Sequence, residues 1–230
     1  MQKVIFVVYS NAKVCEARFI SEGKTRFICN VDYQGKSIEC YVPNTCKLSK
    51  LIHLNNNDVL ITKNLHETNR TQYTLFAIKV CNEYLIVNTA LANKIVYNYL
   101  TDNKENDVLP EKMIEQYKSD FYINEKKTII ETKCIFSTEE EITIPNSLSN
   151  RAIEQLDKLQ TLIQKDYTVE YYFVIFHNHL KSITIDENTR YGKLLIRNKK
   201  LGMNITILQG IYNENDNSIE ILNREDLVGK

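Results

Sequence analysis

No two of the six cysteines form a CxxC pair, so zinc-finger and thioredoxin-type sites are absent. A chain of 230 residues with six scattered thiols is also not a small fold stapled by disulfides. No GxGxxG, P-loop, GxSxG or HExxH motif occurs, which leaves nucleotide-fuelled, serine-hydrolase and zincin chemistry without support. No run approaches the ~20 apolar residues of a membrane span. The opening MQKVIFVVYSNAK has one charge before a short apolar run and no small-residue cleavage site, so no signal peptide is expected. A soluble, cytoplasmic protein with reduced thiols is the expectation. Net charge is missing too: 29 Lys and Arg balance 29 Asp and Glu, which excludes a histone-like binder that relies on bulk charge.

What remains is ample core material, with 43% hydrophobic and 25% charged residues in a length that suits one large domain or two small ones. The charge balance conceals an asymmetry. Residues 1–100 hold 12 basic and 7 acidic side chains, whereas residues 101–230 hold 17 and 22. A basic half followed by an acidic half fits a polyanion-binding module joined to a carboxylate-bearing one, or simply two differently solvated surfaces.

The two halves also differ in rhythm. KVIFVVY, VCEARFI, TRFICNVDYQG, KSIECYV, DVLITK, TQYTLFAIKV and EYLIVN are short, β-branched and aromatic, and turn signals such as Gln34-Gly35-Lys36 separate them. This predicts a small OB-type barrel over residues 1–88. Thr89 is placed to cap a helix through Ala90–Leu100, and residues 89–107 form the connecting helix and linker. Residues 108–230 alternate differently. Pro110 is expected to open a helix over Glu111–Tyr117, followed by a strand pair, a helix from Asn150 to Lys165, the strand VEYYFVIF, a helix over Glu187–Leu201 capped by Gly202, and a last strand. The fold class is α/β, α+β overall, with a mixed sheet in the second domain.

The strand pair SDFYI and TIIETKCIF carries the chemistry. With Asn124–Lys127 as a four-residue turn, Ile123 faces Thr128 and antiparallel register puts Asp120 opposite Glu131, with Cβ atoms roughly 5 Å apart. Period-two alternation adds Lys133 to the same face. Paired carboxylates repel unless a cation lies between them, and they make an oxygen site for Mg²⁺ or Mn²⁺. The neighbouring Lys can orient a water and stabilise charge on phosphate. This is the D…ExK arrangement of metal-dependent phosphodiesterases of the restriction-endonuclease type. ExK alone says little, because Glu22-Gly23-Lys24 and Glu125-Lys126-Lys127 match it as well.

Around these residues the chain resembles the SfsA family, the sugar fermentation stimulation proteins. The family's DF…EVKS phrase reads here Asp120-Phe121 and Glu131-Thr132-Lys133-Cys134, and its FPDAVTxRGxKHL reads IPNSLSNRAIEQL from Ile144 to Leu156. Thr25-Arg26-Phe27 is similar to its xRF, Val42–Leu48 to its VPNTGRL, and Asn69-Arg70-Thr71 to its Arg-rich turn. The resemblance spans about Val14 to Tyr212. It implies an N-terminal OB-like domain, a C-terminal restriction-endonuclease-like PD-(D/E)xK domain, nucleic-acid binding, and nuclease chemistry. Asp120, Glu131 and Lys133 take the metal-binding and catalytic places, with Glu115, or its rival Glu111, as an extra acidic ligand from the preceding helix. The departures are Asn146 for the family's Asp, Ala152 for its Gly, Glu154-Gln155 for its Lys-His, and Cys46-Lys47 for its Gly-Arg. They imply weaker nucleic-acid affinity or altered substrate choice.

Arg26, Lys47, Arg70 and Arg151 are the cations expected along a phosphate track on DNA or RNA. Phe27, Tyr41 and Tyr73 are candidates for base stacking, though burial in the barrel core is the expected fate of such aromatics. Pro43-Asn44-Thr45 suits a tight turn. His177 and His179 share a strand face, but without a Cys or third His nearby zinc is disfavoured. Cys134 is expected to be a buried strand thiol rather than a nucleophile. A metal-dependent DNA or RNA nuclease therefore stands beside a non-catalytic DNA-binding regulator on the same scaffold and a small-molecule phosphodiesterase using the same carboxylates.

Overall fold

The structure is a computed structural model that describes residues 4–8, 14–44, 47–50, 52–54, 56–64, 70–102, 107–145 and 150–224. The first strand, β1 (Val4–Val8), is followed by six that form one sheet: β2 (Val14–Glu22), β3 (Ile28–Tyr33), β4 (Lys36–Tyr41), β5 (Asp58–Lys63), β6 (Tyr73–Val80) and β7 (Glu83–Ile86). Their order is β4-β3-β2-β5-β6-β7, and a parallel pairing of Cys40 with Tyr73 and Tyr41 with Thr74 joins β4 to β6 and closes the barrel.

Local chemistry explains the path. Gln34 (φ 54°) and Gly35 (φ 74°) form a two-residue turn between Tyr33 and Lys36 with both residues left-handed, the geometry that matches strand twist. Cys81 and Asn82, with φ 50° and 67°, do the same between β6 and β7. A bulge between Phe19 and Ser21 bends the long strand β2, as barrel closure requires. Phe19, Val31, Leu48, Val59, Ile61, Leu75 and Ile78 fill the interior.

The exit from the barrel is tied down. The Asn44 amide donates to the Val87 carbonyl at 3.2 Å. The Thr89 hydroxyl, expected to cap the helix, instead donates to the Pro43 carbonyl at 2.8 Å. Helix α1 (Leu91–Asp102) follows and buries Leu91, Ala92, Ile95, Val96 and Leu100 along one face.

The second lobe comprises β8 (Val108–Pro110), β9 (Met113–Ile114), β10 (Tyr117–Lys118), β11 (Phe121–Ile123), β12 (Thr128–Ile135), β13 (Glu141–Ile144), α2 (Asn150–Ile163), β14 (Thr168–Ile175), β15 (Ser182–Ile185), α3 (Arg190–Lys200), β16 (Asn204–Asn213) and β17 (Ser218–Asn223). Its main sheet is mixed, ordered β1-β17-β16-β14-β12-β11-β8, with β12, β14 and β16 parallel at the centre and antiparallel strands outside. The α+β class, with an OB-like barrel followed by a mixed sheet, is as the sequence leads one to expect. α3 is N-capped by Thr189, which accepts from the Gly192 amide, and it stops at Gly202 with φ 109°.

Two expectations need correction. β1 does not join the barrel; it pairs antiparallel with β17 and extends the second sheet. A hydrophobic strand motif specifies a sheet edge, and the edge it meets is chosen by tertiary geometry. The segment expected as a helix over Glu111–Tyr117 is the small hairpin β9–β10, with Ile114 paired to Tyr117. Glu111 and Glu115, both with φ 52°, turn the chain where a helix would need negative φ. Pro110 ends the edge strand β8, where its missing N–H breaks no interior ladder.

The central sheet is covered on both faces. α2, α3 and the β13–β15 pair pack on one side through Leu156, Leu159, Leu162, Tyr191 and Leu195. On the other side α1 and the barrel share a single core with the sheet, in which Leu60, Phe76 and Tyr84 of the barrel meet Val174, Leu208 and Tyr212. Phe76 and Tyr212 cross edge-to-face at 5.1 Å. This common core makes the two lobes one cooperative unit. Phe76→Ala is expected to cost ~3–5 kcal/mol while leaving a single unfolding transition. Calorimetry checks this, and a barrel that melts separately from the sheet would contradict it.

Candidate active site

Strand β12 must be buried on both faces because it lies between β11 and β14 beneath α2. Its alternation places Ile130 among the residues facing α1, and Ile129 and Ile135 among those facing α2. Glu131 and Lys133 share the α2-facing side. The hairpin register is the one read from the sequence: Ile123 opposite Thr128, Tyr122 opposite Ile129, Phe121 opposite Ile130. Asp120 therefore lies one step beyond β11, opposite Glu131. Its Oδ2 accepts from the Thr132 amide at 2.7 Å, and its carbonyl accepts from the Glu111 amide at 2.9 Å, so backbone holds it on both sides.

Glu131 is 1% exposed, which would be untenable for a carboxylate without partners. One oxygen, Oε1, receives the Lys133 ammonium at 2.6 Å and the Gln155 side-chain amide at 2.9 Å. The Gln155 carbonyl oxygen in turn accepts from Lys133 at 2.8 Å, closing a three-membered ring of polar groups. The other oxygen, Oε2, accepts from the Tyr117 hydroxyl. Burial pushes the Glu131 carboxyl above its ordinary range; the Lys133 ammonium pulls it back and the facing Asp120 pushes it up again. Burial, reinforced by the Glu131 charge, also drives the Tyr117 phenol upward, so that it stays a hydrogen-bond donor. Arg151, exposed in the first turn of α2 four residues before Gln155 and so on the same helix face, opposes that rise.

Asp120, Glu131, Lys133 and Arg151 thus come together. Glu115 does not. On its hairpin turn it is exposed and pairs with Lys165 at 2.6 Å, and Glu111 pairs with Lys118 at 2.9 Å. With the helix replaced by a hairpin, no helical turn points either carboxylate at Glu131. Among the described residues no three of His, Cys, Asp and Glu gather into a metal cluster. The acidic set is therefore two carboxylates. Their oxygen chemistry suits a hard divalent cation, and the raised Glu131 carboxyl is the kind of burial penalty that such a cation relieves.

Two residues of the site escaped the sequence reading. The sequence pattern puts Tyr117 in a helix and marks Gln155 only as a departure from the family pattern. The signal for Tyr117 was the spacing of Ile114 and Tyr117 about two turn residues, a hairpin pattern. Gln155 stands where the family pattern has His, and its bridging role depends on where α2 crosses β12, which no local pattern encodes.

The other candidates separate. Arg26, Lys47 and Arg70 are exposed on the barrel. Asn146 and Cys46 lie outside the described residues. The His177 Nδ1 accepts from the His179 backbone amide at 3.0 Å, while the His179 ring meets Glu83 at 3.0 Å, so the two imidazoles do not converge on a common point. Burial pushes the Cys134 thiol up to about 12, which makes it inert as a nucleophile.

Comparison with known proteins identifies the family and the fold. A family model described as the sugar fermentation stimulation protein RE domain matches residues 85–216, and one described as the SfsA N-terminal OB domain matches residues 24–87. The chain belongs to the SfsA family. It is 26% identical over 232 residues to a sugar fermentation stimulation protein homolog of Clostridium beijerinckii, covering 96% of this chain and 99% of that one. A homolog from Pelagibacter ubique is also 26% identical, with 86% and 92% covered. Among solved structures, SfsA of Pyrococcus furiosus in complex with Ca²⁺ superposes with a TM-score of 0.78 over 95% of each chain at 16% identity, a likeness of fold. No helix among the described residues is long and apolar enough to cross a membrane.

The raised Glu131 carboxyl has a measurable consequence. In the window above the ordinary glutamate range, the folded SfsA-family chain keeps a proton that the unfolded chain has released. Its contribution to stability is present at lower pH and is lost as pH rises through the folded value. In chelator, the stability of wild type minus that of Glu131→Gln is expected to fall with rising pH, by at most about 1.4 kcal/mol per pH unit. Denaturant titrations across pH check this; a difference that rises with pH contradicts it.

Proposed function

We propose that this chain is a nucleic-acid-binding, metal-dependent phosphodiesterase working at Asp120, Glu131 and Lys133. The observation that carries the reading is the convergence of two carboxylates and one ammonium on a single face of the β11–β12 hairpin, under a helix that brings Arg151 near. Asp120 and Glu131 are the residues that would hold Mg²⁺ or Mn²⁺, in keeping with a family relative crystallised with Ca²⁺. Such an ion supplies charge neutralisation at phosphorus and a more acidic attacking water. Lys133, released from Glu131, presents a compact ammonium to a non-bridging phosphate oxygen or to the water. Gln155 holds that ammonium in line when substrate is absent. Arg151 offers a positioning contact to the backbone phosphate beside the scissile bond.

A second reading has its own support. Every oxygen of Glu131 is already engaged, by Lys133, Gln155 and Tyr117. A site that satisfied is also what a non-catalytic, DNA-binding regulator would keep as a structural relic. The experiment that separates the two incubates purified protein with labelled DNA and RNA plus Mg²⁺ or Mn²⁺. Cleavage is expected, with a loss of at least ~100-fold in Asp120→Ala and Lys133→Ala and no rescue by Lys133→Arg, whose planar fork replaces a point charge. Glu115→Gln, whose carboxylate is spent on Lys165, is expected to cleave like wild type. Cleavage that persists in both alanine variants, or binding without cleavage in wild type, overturns the enzyme reading.

A further inference from the structure

The barrel carries a feature that its packing does not explain. Phe27 and Tyr41 are 40% and 41% exposed, although the barrel core is complete without them. Their rings lie near-parallel, 23° apart, with centroids separated by 6.4 Å. The Arg26 guanidinium sits 4.6 Å from the centre of the Phe27 ring. Beside them opens a hollow of about 690 Å³ lined by Thr25, Phe27, Tyr41, Asn64, Arg70 and Thr74 among others. Among the described residues no carboxylate lines it.

The hollow is built rather than incidental. Its floor is the seam that closes the barrel, where Tyr41 pairs with Thr74. Asn64 is locked there, its amide donating to the Thr71 carbonyl at 2.8 Å and its oxygen accepting from Thr74 at 2.7 Å. Counting the barrel's own strands from β2, Phe27 and Tyr41 flank the second and third. Arg26 lies in the loop before the second strand, and Arg70 in the loop between the fourth and fifth. This is the face and loop set through which five-stranded barrels of this type take oligomers.

Exposed aromatic faces beside exposed cations discriminate between ligands. A duplex hides its base faces and offers phosphates and groove edges. A single strand offers both an unstacked base for the rings and a phosphate for the guanidinium. We infer that the hollow lined by Phe27, Tyr41 and Arg70, with Arg26 over the Phe27 ring, is a binding site for single-stranded nucleic acid, its bases stacked on Phe27 and Tyr41. The inference takes its ligand class from the nucleic-acid reading above but does not depend on hydrolysis.

The test is fluorescence anisotropy in EDTA, with an end-labelled oligothymidylate of about 10 nucleotides and a duplex of the same length. The single strand is expected to bind more tightly. Phe27→Ala and Tyr41→Ala should each weaken it about 5- to 100-fold, with Tyr41→Phe retaining affinity and duplex binding unchanged. Arg26→Ala and Arg70→Ala should each flatten the slope of log affinity against log salt by about 0.7. Thermal melts confirm that these surface variants stay folded. Absent single-strand binding, a preference for duplex, or affinity unaltered in both aromatic variants would overturn the inference. The two readings fail separately: cleavage of duplex in Mg²⁺ without single-strand binding leaves hydrolysis standing, and binding in EDTA without cleavage leaves this site standing.

Discussion

A carboxylate that is 1% exposed, in a strand buried on both faces, is the constraint around which the second lobe is arranged. Glu131 cannot be left there alone, since an unpaired buried charge costs several kcal/mol. Each of its neighbours answers that requirement. Tyr117 arrives on a hairpin that exists because two glutamates accept left-handed backbone, Lys133 from two residues along the same strand, and Gln155 from the helix above. Lys133 itself keeps a quarter of its side chain in water, which lets its ammonium leave the ring without exposing a hydrophobic wall. The same ring that makes the strand tolerable fixes the position of the ammonium.

The barrel and the sheet are not beads on a string. Residues of the barrel and of α1 finish the core on one face of the central sheet, and α2 and α3 finish the other. The Asn44 and Thr89 contacts anchor the passage between them. Rigid coupling of this kind fixes the reach between the barrel's exposed aromatics and the carboxylates in the sheet. A hinge would have left that reach variable.

Much of the site was legible from local pattern. The register between Asp120 and Glu131 follows from a four-residue turn and period-two alternation, both properties of the chain within fifteen residues. The barrel strands are punctuated by turns whose residues, Gly35 and Asn82, tolerate positive φ. The family motifs, taken in order, supplied the pairing of an OB-like barrel with a mixed sheet. Where the reading failed, it failed on the conformation of one segment and on long-range contact elsewhere. Glu115 was the right kind of residue close to the right place, but a hairpin in place of a helix sent its carboxylate to Lys165.

The sequence by itself determined strand pairing within hairpins, the turn positions and the residues that carry charge at the site, because these depend on backbone geometry over short spans. Tertiary structure alone decided three things. It sent β1 to the edge beside β17, set Gln155 and Tyr117 against Glu131, and left Phe27 and Tyr41 in water when aromatics of that kind usually fill a core. The reason is common to all three. Burial and long-range contact are set by which surfaces meet once the lobes pack, and a sheet edge, a helix face or a barrel rim accepts any partner of suitable shape that the rest of the chain delivers to it.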